Sequence, residues 1–222
     1  MTDSYAELRQ QKGLFSYGLR RRTENVEILL RQALLPDRAK ILDVGTADGE
    51  MLCHLQAIYP QYDFTGLERT PELVEIAKSN GLHVVAGDAR SLPFPTGSFD
   101  AITMISTIKH IPQYQQVFAE CQRVLKNQGI MMIAEPTRFA LWIGVQRGHF
   151  DPQYLPNRWS LKQMEEHLVA AGFRTCVKRK YMLAPFAFPG SVTLENLLAS
   201  CGCSCLFLHQ AIMVKKVTAG TK

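Results

Sequence analysis

The side chains best placed to do chemistry are three acids arranged around a glycine turn. The turn lies in Lys40-Ile41-Leu42-Asp43-Val44-Gly45-Thr46-Ala47-Asp48-Gly49-Glu50. Ile41, Leu42 and Val44 read as a short buried strand, and Met51, Leu52, Leu55 and Ile58 then recur at helical spacing. The chain therefore runs strand, turn, helix. Gly45 and Gly49 permit backbone angles that other residues resist and let a ligand approach the main chain. The helix behind them offers free N–H groups at its start. Such an element binds nucleotide-like ligands. A dinucleotide would call for G-x-G-x-x-G, whereas this turn reads D-x-G-x-A-x-G. The carboxylate of Asp43 would repel a pyrophosphate. It suits a cationic or zwitterionic ligand without phosphates.

The second acid, Glu68, closes the predicted strand Asp63–Glu68, 25 positions after Asp43. There a carboxylate can accept bonds from both hydroxyls of a ribose, as the acid of dinucleotide folds does. Alternatively it is only a polar strand end. The third acid, Asp88, follows the predicted strand His83–Ala86 in Gly87-Asp88-Ala89. Each acid sits at a strand end, one strand apart. Parallel strands point those ends to one side, where open α/β sheets bind ligands.

The turn resembles the first motif of class I S-adenosylmethionine (SAM)-dependent methyltransferases of the small-molecule, type 11-like kind. That family usually has glycine where Ala47 stands. Phe99-Asp100 opening a fourth strand, a segment ending in His110, and RVLKNQGIMMIAEP resemble later family segments. The resemblance covers about residues 38–135 closely. It implies SAM as cofactor and S-adenosylhomocysteine as product. It places Asp43, Gly45, Thr46, Ala47, Gly49, Glu68, Arg69, Gly87, Asp88, Ala89, Ile105 and Ser106 at the cofactor. Asp88 would bond the adenine amino group, and the backbone of Ala89 would address the ring. Helices ahead of the first strand often close over the pocket in this family, which makes Tyr17 and Arg22 candidates for the methionine end. Packing for Tyr17 and solvation for Arg22 are the plain alternatives.

A SAM sulfonium is already an activated methyl donor, so transfer needs in-line positioning more than acid–base machinery. A base helps when the acceptor is a hydroxyl or a protonated amine. His110, after the fourth strand, and His149, in Gly148-His149-Phe150-Asp151, are the candidate bases, with Glu135 a third. Structural roles are open for all three. The tetrapeptide of amino-methylating nucleic-acid enzymes, the Pro-Cys pair of cytosine-C5 enzymes and the glutamate hairpin of arginine methyltransferases are missing. No RNA-binding module fits the remaining length. The expected acceptor is a small molecule, lipid- or sugar-linked and partly apolar, accepting at an O or N atom, with no nucleic acid involved. The rival readings are a SAM-binding regulator or partner subunit that transfers nothing, and a nicotinamide oxidoreductase, against which Asp43 argues.

These residues need a scaffold. The chain has 222 residues, 46% hydrophobic and 20% charged, which suits one globular domain with a sizeable core. The expected division is N-terminal helices over 1–37, a SAM-binding core over 38–135, and a cap with C-terminal strands over 136–222. Helices are predicted over 4–12 and 14–34. The expected fold is α/β, doubly wound, with a mostly parallel seven-stranded sheet. Thr70 and Pro71 start the helix after the second strand. A helix over 116–125 and a turn over 126–129 lead to strand 130–135. Residues 136–160, aromatic and rich in proline, predict a helical cap and loop over the ligand side. Ser160 caps the next helix, strand six covers 173–182, a short helix covers roughly 192–200, and strand seven covers 206–217. The last two strands should form the antiparallel edge. The net charge is +5, with basic clusters at Arg20–Arg22 and Lys178–Lys180 that read as solvated surface. No apolar run reaches the length of a membrane span, and the polar N-terminal stretch lacks a signal-peptide core. The expected location is cytoplasmic, with free thiols. Cys201, Cys203 and Cys205 lack the usual paired zinc spacing, so no metal is expected and small buried cysteines are the default.

Overall fold

A computed structural model describes residues 14–184, 190–201, 203 and 205–217. The predicted helix over 4–12 lies outside them. The elements are α1 (Leu14–Ala33), β1 (Lys40–Val44), α2 (Glu50–Ile58), β2 (Asp63–Glu68), α3 (Pro71–Ser79), β3 (Val84–Ala86), β4 (Phe99–Ile105), α4 (Tyr114–Val124), β5 (Leu125–Pro136), α5 (Arg138–Gln146), α6 (Leu161–Ala170), β6 (Phe173–Tyr181), α7 (Ser191–Ser200) and β7 (His209–Lys216). Short 3-10 turns occupy Ile108–His110 and Pro152–Tyr154.

The seven strands form one sheet in the order β3-β2-β1-β4-β5-β7-β6. β1 to β5 pair in parallel. β7 runs antiparallel between β5 and β6. The order reverses between β1 and β4, so a crevice opens outside the carboxyl ends of those strands. The central strands β1, β2, β4 and β7 are buried on both faces, which is why they read as near-continuous apolar runs, whereas the edge strand β6 alternates. Ile41 and Met132 pack with Val26, Leu29 and Leu30 of α1 and with Leu52 and Leu55 of α2. Leu42, Ile102 and Met131 face the other way, onto Val117, Phe118 and Cys121 of α4 and Met164 and Leu168 of α6.

Local signals explain most boundaries. Thr70 stands at the N-cap of α3 in extended backbone with Pro71 at the first turn, although the Thr70 hydroxyl makes no cap bond. Ser160 and Gln163 form a reciprocal capping box at α6. One expected boundary is corrected. The turn predicted over 126–129 is not a separate turn, because β5 runs unbroken from Leu125 to Pro136. An irregularity in its pairing with β4, between Phe99 and Ala101, absorbs the extra residues, and Gln128 takes a positive φ of 64°.

The cap is pinned over the end of β4. The Asn157 side chain donates to the carbonyls of Ile108 (2.8 Å) and Ile111 (2.6 Å). Gln210 Nε2, on β7, donates to the Trp159 carbonyl at 2.8 Å. These bonds tie Asn157 and Trp159 to the segment after β4 and to β7. Cys201, Cys203 and Cys205 correct another expectation, since all three are exposed rather than buried. Among the described residues no three His, Cys, Asp or Glu side chains gather as a metal site, and no helix is long and apolar enough to cross a membrane.

Candidate cofactor and acceptor site

The turn between β1 and α2 is held by backbone bonds that residue identity makes available. The amides of Gly45 and Thr46 both donate to the Leu67 carbonyl, at 2.8 and 3.1 Å. Gly45 has φ 78°, and a Cβ there would stand 2.5 Å from Thr107 Oγ1. Gly45 is therefore required twice, by its own backbone and by the segment after β4 that crosses it. Gly49 (φ 81°) serves packing, since a Cβ there would meet Leu82 Cδ1 at 2.2 Å. Ala47 also lies in the left-handed region, at φ 54°. An L-residue there carries a strain of about 1–2 kcal/mol that glycine would not. This explains physically why glycine suits the position.

Asp43 is 1% exposed, and its Oδ1 accepts from Thr103 Oγ1 on the neighbouring strand at 2.7 Å. Burial pushes its pKa up to about 6. The hydroxyls of Thr103 and Thr46 work against that rise, and the Glu68 charge adds to it. Glu68 is committed to the backbone more than its spacing suggested. Its Oε2 accepts from the Ala47 amide at 3.0 Å, and its Oε1 from the amides of Arg69 and Thr70, both at 2.9 Å. It thus ties the end of β2 to the glycine turn. A carboxylate offers about four lone-pair positions, so capacity for one ribose hydroxyl remains alongside these three bonds.

Asp88 is gripped by Arg90, through its backbone N (2.8 Å), Nε (3.0 Å) and Nη2 (2.7 Å). Those bonds hold the carboxyl below its ordinary range. Gly87 N donates to the Glu68 carbonyl at 3.0 Å, which joins the ends of β2 and β3. Ala89 is buried, and the Arg69 side chain is exposed.

On the other side of the turn, Ile105 ends β4 and Ser106 takes a left-handed φ of 58°. Ser106 N donates to the Ala134 carbonyl at 2.7 Å, and Lys109 Nζ donates to the Ser106 carbonyl. Arg22, from α1, reaches Ser106 Oγ at 3.3 Å. Arg22 therefore stands at the ligand edge rather than in solvent, while Tyr17 is half-buried against the core. Glu135, at the end of β5, pairs with Lys109 at 3.5 Å, both side chains being 5% exposed. Burial raises the Glu135 pKa and lowers that of Lys109, and their mutual attraction partly offsets each shift.

The two histidines separate. His110 Nδ1 lies 2.9 Å from the Tyr154 carbonyl. Its side chain reaches solvent, yet atoms packed around the ring and the adjacent Lys109 charge lower its pKa to about 4, against the pull of that carbonyl. His110 ties the cap to the end of β4 and is a weak base. His149 closes α5, its amide donating to the Gly144 carbonyl at 2.8 Å, with the side chain exposed. Thr103, Thr107 and Lys109 have structural parts here that the sequence did not signal. Each lies in or after an apolar strand, and only pairing across the sheet gives it a role.

The cradle around the turn presents acids, hydroxyls and backbone amides. The guanidinium of Arg90 is engaged with Asp88. That donor set fits ribose hydroxyls and an amino group rather than a diphosphate. Residues 42–133 match the family described as Methyltransferase domain. A demethylmenaquinone methyltransferase of Thermotoga maritima is 37% identical over 99 residues, which is 43% of this chain and 43% of that protein. A 2-methyl-6-phytyl-1,4-hydroquinone methyltransferase of Oryza sativa is 27% identical over 143 residues, 61% of this chain and 41% of that protein. The chain thus matches less than half the length of either relative. Among solved structures, a SAM-dependent methyltransferase of Thermotoga maritima superposes with TM-score 0.73 at 17% identity, covering 98% of this chain and 96% of that one. The [4+2]-cyclase SpnF superposes with TM-score 0.66 at 20% identity, covering 89% and 82%. Residues 42–133 thus match the model of a methyltransferase domain, and the chain shares the fold of a solved SAM-dependent methyltransferase.

Proposed function

We propose that this protein transfers a methyl group from SAM to an O or N atom of a small, partly apolar acceptor. The observation that supports the reading is that Glu68 bonds the positive-φ turn beside Asp43, with Asp88 following the next strand, β3, at the same carboxyl edge of the sheet. SAM would supply an activated methyl on a sulfonium. The chain would supply placement. Glu68 and Asp88 hold the nucleoside end, Arg22 and Ser106 border the methionine end, and the pinned cap excludes water from the acceptor. The relatives named above carry quinone and hydroquinone substrates in their names, which supports an acceptor with a hydroxylated ring and an apolar part. The weak basicity of His110 supports catalysis by positioning.

Radiolabelled SAM incubated with small phenols, hydroquinones and amines tests the reading, with label appearing in the acceptor as the expected result. A second reading, a SAM-binding protein that transfers no methyl group, is favoured by the fold shared with a cyclase. Tight S-adenosylhomocysteine binding without label transfer across the panel would select it. Calorimetric titration with S-adenosylhomocysteine and with NAD separates both readings from an oxidoreductase.

A further inference from the structure

Two buried polar groups at the ligand edge, the hydroxyl of Tyr181 and Nδ1 of His209, lack hydrogen-bond partners among the described residues. Tyr181 is 3% exposed and His209 8%. Glu135, 4% exposed beside them, is paired with Lys109. Buried polar groups are almost always bonded, so two orphans in one neighbourhood point to a missing partner. Topology brings them together. Tyr181 ends β6 and pairs with His209, which starts β7, with ring centroids 5.6 Å apart. His209 in turn pairs with Pro136, the residue after Glu135. All three therefore lie on the edge where β4 and β5 also end.

The surroundings are cationic. Arg22 acts on both Tyr181 and His209, Lys109 on His209, and Arg21 and Arg179 on Tyr181, with the Arg179 guanidinium carbon 6.0 Å from the Tyr181 ring centre. Glu135 and Glu195 are the opposing acids, and each is already paired, with Lys109 and with Arg21. Burial keeps Tyr181 a neutral phenol and His209 a neutral imidazole. A phenol hydroxyl and a neutral imidazole can each donate one hydrogen bond. Arg22 also links this neighbourhood to the turn, through Ser106 and then Thr107, which crosses Gly45. Leu19, Ile105 and Met182 belong to the same buried layer as Tyr181 and supply apolar surface.

We propose that Tyr181 and His209, bordered by Arg22 and Lys109, form an acceptor subsite that holds the acidic hydroxyl of a phenolic ring as its oxygen takes on negative charge. The subsite rests on the methyl-transfer reading for its purpose but not for its detection. A phenolate is the form that two neutral donors beside two cations favour. The phenol's proton passes to bulk water as the ring oxygen ionises, and His209 stays a neutral donor throughout.

The probe is 4-nitrophenol, whose absorbance reports ionisation, with 4-nitroanisole as the analogue that cannot ionise and 4-nitrobenzoate as the carboxylate. Each is titrated into the full chain, with and without S-adenosylhomocysteine. The expected result is binding of 4-nitrophenol at least tenfold tighter than 4-nitroanisole and fivefold tighter than 4-nitrobenzoate, with the phenolate band appearing below the pH where free phenol ionises. Tyr181→Phe and His209→Phe, which remove the donors, should each lose at least fivefold in 4-nitrophenol affinity and lose the spectral shift. Their S-adenosylhomocysteine affinity should stay unchanged, and that ligand's binding also certifies their folding. If a variant fails to fold, Tyr181→Leu and His209→Leu serve in its place. Equal binding of phenol and anisole, preference for the carboxylate, no phenol binding, or folded variants that keep the spectral shift would overturn the subsite. Failure of wild-type protein to bind S-adenosylhomocysteine would instead sink the methyl-transfer reading, and the titrations without it would still decide the subsite.

Discussion

Glu68→Gln asks whether the second acid serves the ribose, the turn, or both. The glutamine has one acceptor oxygen and one NH2 in place of two acceptors. If the oxygen faces Arg69 and Thr70, the NH2 meets the Ala47 amide, donor against donor. If the oxygen faces Ala47, the NH2 meets two amides instead. The less disruptive orientation loses one charge-assisted bond and weakens two, and such a bond is worth roughly 1.5–3 kcal/mol. The variant should therefore lose about 1.5–3 kcal/mol of stability, which for a chain of this size is a fall of several degrees in melting temperature. Its S-adenosylhomocysteine affinity should drop tenfold or more, since tenfold corresponds to about 1.4 kcal/mol. Calorimetric titration and a thermal melt on the same sample measure both. A purely ribose-binding glutamate would lose affinity with an unchanged melting temperature, and a purely structural one the reverse. A folded variant that matches wild type in both would refute the bonds and the role together.

The remaining predictions use the same assays. Asp43 has a folded pKa raised to about 6, above its ordinary value of 3.8, so the stability it contributes as a neutral acid is present below 3.8 and lost as pH rises through 6. If the cofactor needs the carboxylate, S-adenosylhomocysteine affinity should rise about tenfold from pH 5 to 7, and Asp43→Asn should flatten that trend; a wild-type affinity level across the range would refute it. Gly45→Val should abolish cofactor binding, because its Cβ meets Thr107 and its φ is positive. Ala47→Gly should bind normally and melt about 2–4 °C higher on relief of roughly 1 kcal/mol of strain; a lower melting temperature would remove the strain argument. His110→Ala should change the transfer rate less than threefold and leave its pH profile over 5–8 unaltered, since a group of pKa about 4 is neutral throughout. A loss near 100-fold would restore it as the base.

The sequence by itself determined the frame. Apolar runs bounded by Asp43, Glu68 and Asp88 marked the strands, β2 matches its predicted limits, and β4 opens at Phe99 as expected. Pro71 and the Ser160 box marked helix starts, because caps and fixed φ are local matters. Asp43 and the departure from G-x-G-x-x-G argued against a dinucleotide, since charge and glycine spacing in a turn are legible without a structure. What needed tertiary structure was every contact between segments far apart in the chain. No local pattern says that Thr103 bonds Asp43, that Thr107 bars a side chain from Gly45, or that Glu68 spends three lone pairs on backbone amides. His110 looked like a base because an isolated imidazole titrates near neutrality; burial and Lys109 decided otherwise. Tyr181 and His209 drew no attention, for a tyrosine at one strand end and a histidine at another mean little until an antiparallel pairing sets them side by side. Chemistry at this edge depends on which strands are neighbours, and adjacency in a sheet is a property of the whole fold rather than of any stretch within it.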